Sequence, residues 1–306
     1  MSQLSPSLSP VTAPSDGPNG EQSHRRRGEL YAVIAALAWS LAGILQRQLT
    51  LSAAMQTQGR AVFAFVTLAV YLTLTRRGQG MFRLNRSGWT MTLALFVATG
   101  SFVYALNHAS VAHVLLFQAL SPFVAALLGV RLLHERVPRS TVVAMLIAIS
   151  GVVVMIGGPG GGSLLGNGLA AAAAVAFATV VVISRQERGA STLPALCLSQ
   201  GLLVIVFVPF MQLSHVTLAS LGWLALLGIV QLVFANLFFA QAARFVPAGP
   251  LALILLLEIV LGPLWTWLGL NEAPSATTLI GGGIVLAAVA GQVLVRRRDA
   301  APLPLN

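Results

Sequence analysis

Leu251-Ala252-Leu253-Ile254-Leu255-Leu256-Leu257-Glu258-Ile259-Val260-Leu261-Gly262-Pro263-Leu264-Trp265-Thr266-Trp267-Leu268-Gly269-Leu270-Asn271-Glu272-Ala273-Pro274 is a membrane-length apolar run with one carboxylate near its middle. An ionised carboxylate in hydrocarbon costs roughly 2.5–3.5 kcal/mol even on the lenient insertion scale, so such a group usually faces an internal cavity. A second stretch answers this one: Ser121-Pro122-Phe123-Val124-Ala125-Ala126-Leu127-Leu128-Gly129-Val130-Arg131-Leu132-Leu133-His134-Glu135-Arg136-Val137-Pro138. Glu135 and Glu272 stand 137 residues apart, and Ser121 and Glu258 share that offset. The preceding segments echo as well, Phe102-Val103-Tyr104-Ala105-Leu106-Asn107-His108-Ala109 against Phe239-Ala240-Gln241-Ala242-Ala243-Arg244-Phe245-Val246. The chain reads as two copies of one unit.

Working outward, ten stretches have the roughly 17–25 residues needed to cross a bilayer as helices. They lie near residues 30–49, 57–75, 88–107, 110–131, 139–157, 167–184, 194–213, 220–243, 247–269 and 277–295. Five spans per copy is an odd number, so the copies must be inverted in the membrane, the design of many secondary transporters with a midplane site. The expected fold is therefore all-α and polytopic: ten transmembrane helices as two inverted five-helix repeats around a central cavity. The first repeat is expected over 28–157 and the second over 167–296, joined by a Gly-rich outer linker at 158–166. Residues 1–27 and 297–306 are expected to be cytoplasmic tails, the first disordered because it is rich in Ser and Pro. Arg25-Arg26-Arg27 precedes a run of full span length without a clean small-residue cleavage site, which favours an uncleaved first helix over a signal peptide.

Composition agrees. Of 306 residues 57% are hydrophobic and 8% charged, with a mean hydropathy of +0.85, against about 25% charged in soluble domains. The net charge of +10 is a matter of topology and not a nucleic-acid signal. All 18 basic residues are arginine. With a cytoplasmic N-terminus, the inner segments hold Arg25–Arg27, Arg76, Arg77, Arg83, Arg86, Arg131, Arg136, Arg139, Arg185, Arg188, Arg244 and Arg296–Arg298, and the outer ones only Arg47 and Arg60. A split of 16 to 2 follows the positive-inside rule and puts both termini in the cytoplasm.

The ends of both halves resemble the drug/metabolite transporter superfamily, in particular its EamA-type branch. The matching residues are Ala35-Ala36-Leu37-Ala38-Trp39-Ser40, Gly59-Arg60-Ala61, Ser121-Pro122 with Glu135, Gly228-Ile229-Val230, and Glu258 with Glu272. Glu258 falls where that family often has Glu followed by Pro; here Ile259 replaces the proline, and Gly262-Pro263 follows four residues on. The resemblance implies a basket of helices around a central cavity, with the fifth and tenth spans peripheral. It also implies export of amino acids, related metabolites or organic cations across a bacterial inner membrane.

Candidate substrate-binding residues follow from polarity and helical spacing. Glu258, Gly262 and Trp265 fall at i, i+4, i+7 on one face, and so do Trp39, Gly43 and Gln46. Gln118 and Ser121 share a face at i, i+3, while Tyr104 and Gln231 are polar positions inside apolar runs. Each competes with a packing role; an interhelical hydrogen bond would account for any of the polar ones. Glu258 is also the proton-coupling candidate. Trp267 reads as an interfacial anchor. Arg60, at the outer start of the second span, has two readings, a binder of a substrate carboxylate and an outer-surface snorkelling arginine, and the second is preferred; His108 and His113 read as water-exposed loop histidines in preference to metal ligands. Gly283, Ala287 and Gly291 form a small-residue stripe expected to pack internally against Ala144 and Ala148, with the protein a monomer or weak homodimer.

No metal ligand set and no cofactor motif is present: Cys197 is the single cysteine, and without lysine a Gly-Lys-Ser/Thr phosphate loop is impossible. The functional expectation is a secondary active carrier, not an enzyme, exporting amino acids or amino-acid-derived metabolites, metallophore-like compounds included, with proton coupling. A quaternary-cation or multidrug efflux carrier is the alternative, and a membrane-embedded enzyme or non-transporting scaffold a more distant one. Its partners are a small molecule and the lipid bilayer.

Overall fold

Helices start where a short polar side chain can take up a free N–H at the helix end. Ser52 accepts from Met55, Asn85 from Gly88 and Ser110 from His113, and Thr217 forms a reciprocal box with Ser220; each satisfies a donor that would otherwise be orphaned. The computed structural model describes residues 18–75, 84–132, 139–156, 163–186, 192–211, 216–246 and 248–299. Its first elements are α1 (Pro18–Ser40), α2 (Ala42–Arg47), α3 (Ala53–Leu74), α4 (Arg86–His108), α5 (Val111–Gln118), α6 (Ser121–Leu132) and α7 (Arg139–Ile156). There follow α8 (Leu164–Gln186), α9 (Thr192–Phe207), α10 (Leu218–Ala225), a π-helical segment over Leu226–Phe234, α11 (Ala235–Phe245), α12 (Ala248–Leu270) and α13 (Ala276–Asp299). No strand occurs among the described residues.

Seven helical stretches among the described residues are long and apolar enough to span a membrane: 26–47, 53–74, 86–108, 111–131, 164–184, 192–210 and 218–242. Shorter apolar stretches occupy 142–154, 257–270 and 276–288. The chain is a multi-pass helical membrane protein.

Three local features depart from the expected uniform rods. A break at Leu41 separates α1 from α2, next to Ser40, whose hydroxyl bonds back to the Leu37 carbonyl at 2.7 Å and so competes with the helical ladder. Ala119 and Leu120 divide α5 from α6; Pro122 lacks the N–H that would bond the Gln118 carbonyl. The π segment 226–234 is the third, and such segments gather at functional sites. The expectation of a disordered tail over 1–27 needs correcting: α1 runs back to Pro18. Gln, Glu and Arg continue a helix at little cost once it is nucleated, and His24 stacks on Phe245 at 5.7 Å. Residues 1–17 lie outside the described residues.

The helices pack pairwise. The main contacts are α4 with α8, α1 with α11 and α12, α6 and α5 with α8, α3 with α9 and the π segment, and α4 with α9. The helices α7 and α13 pack on each other, close enough that a Cβ on Gly151 would lie 2.6 Å from the Gly281 carbonyl. Ala144, Ala148, Val152, Val285 and Ala288 fill that seam. The small-residue stripe does not take part, contrary to expectation. Gly283, Ala287 and Gly291 are exposed, because the face that meets α7 runs through Gly281, Val285 and Ala288, about 130° around the helix.

Candidate functional site

The stripe on α12 meets α1 and α5 at one crossing. Gly262 sits under the Leu115 side chain and within 3.6 Å (from its Cβ position) of the Ser40 carbonyl, so the absence of a side chain lets three helices converge. One turn on, Trp265 donates its indole Nε1–H to the Ser40 hydroxyl at 3.0 Å. Trp39, next in sequence to Ser40, packs its ring against Phe239 at 5.3 Å. One turn before Gly262, Glu258 is half-buried and makes no hydrogen bond or ion pair with a described residue. The break beside Ser40 thus serves the crossing: it puts a hydroxyl where Trp265 needs an acceptor.

The other candidates are spread over the surrounding helices. Gln46 is buried on α2 and donates its amide to the Val103 carbonyl at 2.8 Å, while its Oε1 has no partner among the described residues. Tyr104 is half-buried with its ring 5.8 Å from Phe207. Gln118 closes α5 with a buried Oε1 that has no partner among the described residues, and Ser121 is buried at the start of α6. Gln231 is buried in the π segment, its Oε1 also without a partner among the described residues. Trp267 is 51% exposed on the outer face of α12. The structure therefore joins Trp265 to Ser40, the neighbour of Trp39, with Glu258 two turns away on the same helix as Trp265, and leaves Gln118, Ser121 and Gln231 on neighbouring elements.

Two expectations are overturned. Arg60 is 3% exposed, with Nε and Nη1 lacking an acceptor among the described residues, and so is not a snorkelling surface arginine. Capping by Ser52 starts α3 at Ala53, four residues earlier than the apolar pattern indicated. Arg60 is thereby the eighth residue of the helix, about 10 Å along it, on the inward face. His113 is fully buried and not a loop histidine. Its ring Nδ1 lies 3.0 Å from the Ser110 hydroxyl, and the two-residue link between α4 and α5 places it directly in the first turn of α5. His108 is exposed, as expected.

A clasp that the sequence did not reveal ties four helix ends together, those of α2, α4, α5 and α12. Asn271 adopts a left-handed backbone (φ 56°), a conformation Asn tolerates better than most residues, and stops α12. That turn delivers the Glu272 carboxylate to Arg47 at 3.0 Å and to the Val111 N–H at 3.3 Å. Arg47 also donates to the carbonyls of Leu106 and Ala109. Beside the clasp lies a recess of about 80 Å³ lined by Ser110, Thr266, Glu272, Ser275 and Thr278. It has room for water but not for a metabolite, since small-molecule sites run to roughly 300–1,000 Å³. Glu135, its counterpart in the repeat, lies outside the described residues.

Comparison with known proteins accords with this arrangement. The model of the EamA-like transporter family matches residues 26–157 and again 164–294. The chain is 26% identical over 274 residues to the pseudopaline exporter CntI of Pseudomonas aeruginosa, in strains UCBPP-PA14 and PAO1, covering 86% of this chain and 94% of that protein. It is 25% identical over 144 residues to the uncharacterized transporter YojE of Bacillus subtilis (strain 168), covering 44% and 48% respectively. A solved crystal structure shares the fold, with a TM-score of 0.64 at 22% identity over 90% of this chain and 99% of the other. The two family matches together span nearly all of the helical chain, and the protein belongs to the EamA-like transporter family.

Proposed function

We propose that the protein is a secondary carrier exporting amino acids or amino-acid-derived metabolites across a bacterial inner membrane, through ten spans arranged as two inverted five-helix repeats. The carrying observation is Glu258, a half-buried carboxyl without a protein partner among the described residues, beside the Trp39–Ser40–Trp265 crossing. A carboxyl so placed suits an amine, and two indoles suit a partly apolar body. The similarity to a metabolite exporter over 94% of that protein's length supports the same reading.

The helix pairing supports the inverted repeat. Exchanging the first five spans for the second turns α1 with α11 into α8 with α4. It likewise turns α1 with α12 into α8 with α6, and α3 with the π segment into α9 with α4; all of these contacts occur. A two-fold arrangement of this kind would let the halves rock about a fixed site. Glu258 would then meet each side in turn, releasing an amine where it takes up a proton.

The test is a deletion strain compared with its complemented form, scored for resistance to and intracellular accumulation of a metabolite panel, followed by flux in proteoliposomes. Accumulation of amino-acid-like compounds, reversed by complementation, is expected. Accumulation of quaternary cations alone would replace this reading with the cation-efflux alternative, and no gene-dependent change in any compound would reject the carrier.

A further inference from the structure

The first turns of α3 hold a belt of buried polar residues, Gln56, Thr57, Gln58 and Arg60. Three of them are satisfied within the protein. Gln56 donates to the Leu49 and Leu51 carbonyls and accepts from Asn107; Thr57 bonds back to Ala53; Gln58 donates to the Val204 carbonyl. Arg60 is the exception. Its Nε and Nη1 are buried with no acceptor among the described residues. An arginine stays charged at any physiological pH and carries five donors, and a buried unpaired charge is among the most expensive features a fold can carry. Here the medium outside is lipid, which offers no water to relieve it.

Nothing on the surrounding helices supplies the missing negative charge. The elements packed most extensively on α3 are α9, the π segment, α10 and α4, and none of them contains Asp or Glu, nor does α3 itself. Glu272 is engaged with Arg47. The π segment presses closely on this point: a Cβ on Gly228 would lie 2.5 Å from the Arg60 carbonyl. On the two flanking elements, Gln200 of α9 and Gln231 of the π segment each bury an amide oxygen without a donor. The unmet groups around α3 are thus one strong cationic donor and two neutral acceptors. That set is complementary to a molecule bearing both a carboxylate and N–H groups.

We propose that Arg60 is a carboxylate-binding subsite of the carrier, receiving the carboxylate of a substrate whose N–H donors are met by the amide oxygens of Gln200 and Gln231. The inference deepens the reading of the protein as an exporter of amino-acid-like compounds and rests on it. It narrows the substrate to compounds with a free carboxylate, and it separates the recognition of that group, on α3, from the recognition of the amine, at Glu258 on α12.

The experiment uses the full chain in lipid nanodiscs and pairs of an amino acid with the amine lacking its carboxyl: L-phenylalanine with phenethylamine, L-histidine with histamine, L-lysine with cadaverine. Binding is read as a ligand-dependent rise in melting temperature. The wild type should favour the carboxylate member of at least one pair by roughly tenfold to a hundredfold, the size of a charge-assisted hydrogen-bonded contact. Arg60→Gln should abolish the preference while the amine still binds, and Arg60→Lys should keep part of it, since Lys offers a point charge without the planar fork. Retained melting without ligand shows that a variant is folded; if Arg60→Gln does not fold, Arg60→Lys carries the test through its reduced preference. A wild type indifferent to the carboxylate in every pair overturns the proposal, as does an Arg60→Gln or Arg60→Lys variant with an unchanged preference. Flux of the same pairs in proteoliposomes separates the two ideas. Transport of amines irrespective of the carboxylate sinks the subsite and leaves the carrier, whereas carboxylate binding without flux sinks the carrier and leaves the subsite.

Discussion

Glu258 illustrates how far one residue can be argued. Its position in the apolar run marks it as costly, and the structure leaves it half-buried with no partner among the described residues. Glu258→Gln keeps the shape and removes the titrating group. The expected outcome in proteoliposomes is that flux driven by a pH gradient falls by on the order of tenfold or more, while insertion and melting temperature stay near wild type. Full pH-driven exchange in that variant would assign the coupling elsewhere and make Glu258 structural. The two neighbouring residue-level expectations fared differently. The i, i+4, i+7 spacing named the helix faces of Trp39 and Trp265, and packing then set their neighbours, Phe239 and Ser40. Arg60 was misread because its depth depended on where α3 begins, a matter of one capping serine.

Two elements govern how the helices meet. The π segment lies on α3 with backbone against backbone at Gly228, which has the Arg60 carbonyl, Phe63 Cβ and Ala64 N within 3.0 Å of a built Cβ. Backbone cannot swing aside, so Gly228→Ala should destabilise by about 1–3 kcal/mol, the range of core overpacking. Gly283→Ala, with nothing within 4 Å, should be neutral; a thermal melt of both in the same detergent checks the contrast. The clasp at the α2 and α12 ends makes a second prediction. Its ion pair is 31% and 28% exposed on the two side chains, so its own contribution is about 1 kcal/mol or less. What it holds together is the junction of α2, α5 and α12. Glu272→Ala should therefore change melting little but quicken maleimide labelling of a cysteine placed at Ala112, in a background where the buried Cys197 is replaced by serine. Unchanged labelling would show that the clasp does not close that end.

At the scale of the whole molecule the arginine distribution predicts orientation. Reporter fusions at residue 160 and residue 300 should report outside and inside respectively, following the 16-to-2 split. Both reporters on one side would break the five-span half and with it the inverted repeat. The stripe of Gly283, Ala287 and Gly291 faces outward, while α13 uses another face for α7.

Membrane embedding, helical class, duplication and family were all contained in the amino-acid order, because they depend on quantities that accumulate along the chain. Span length, apolar content, arginine placement and a 137-residue offset need no knowledge of what touches what. The tertiary structure decided the rest. It decided that Ser40 is the acceptor of Trp265, that Glu272 reaches across 225 positions to Arg47, and that His113 and Arg60 are buried. A polar residue near a span end can face lipid, water or protein with the same local sequence. The choice is set by which helices press on it, and that is a property of packing between segments far apart in the chain.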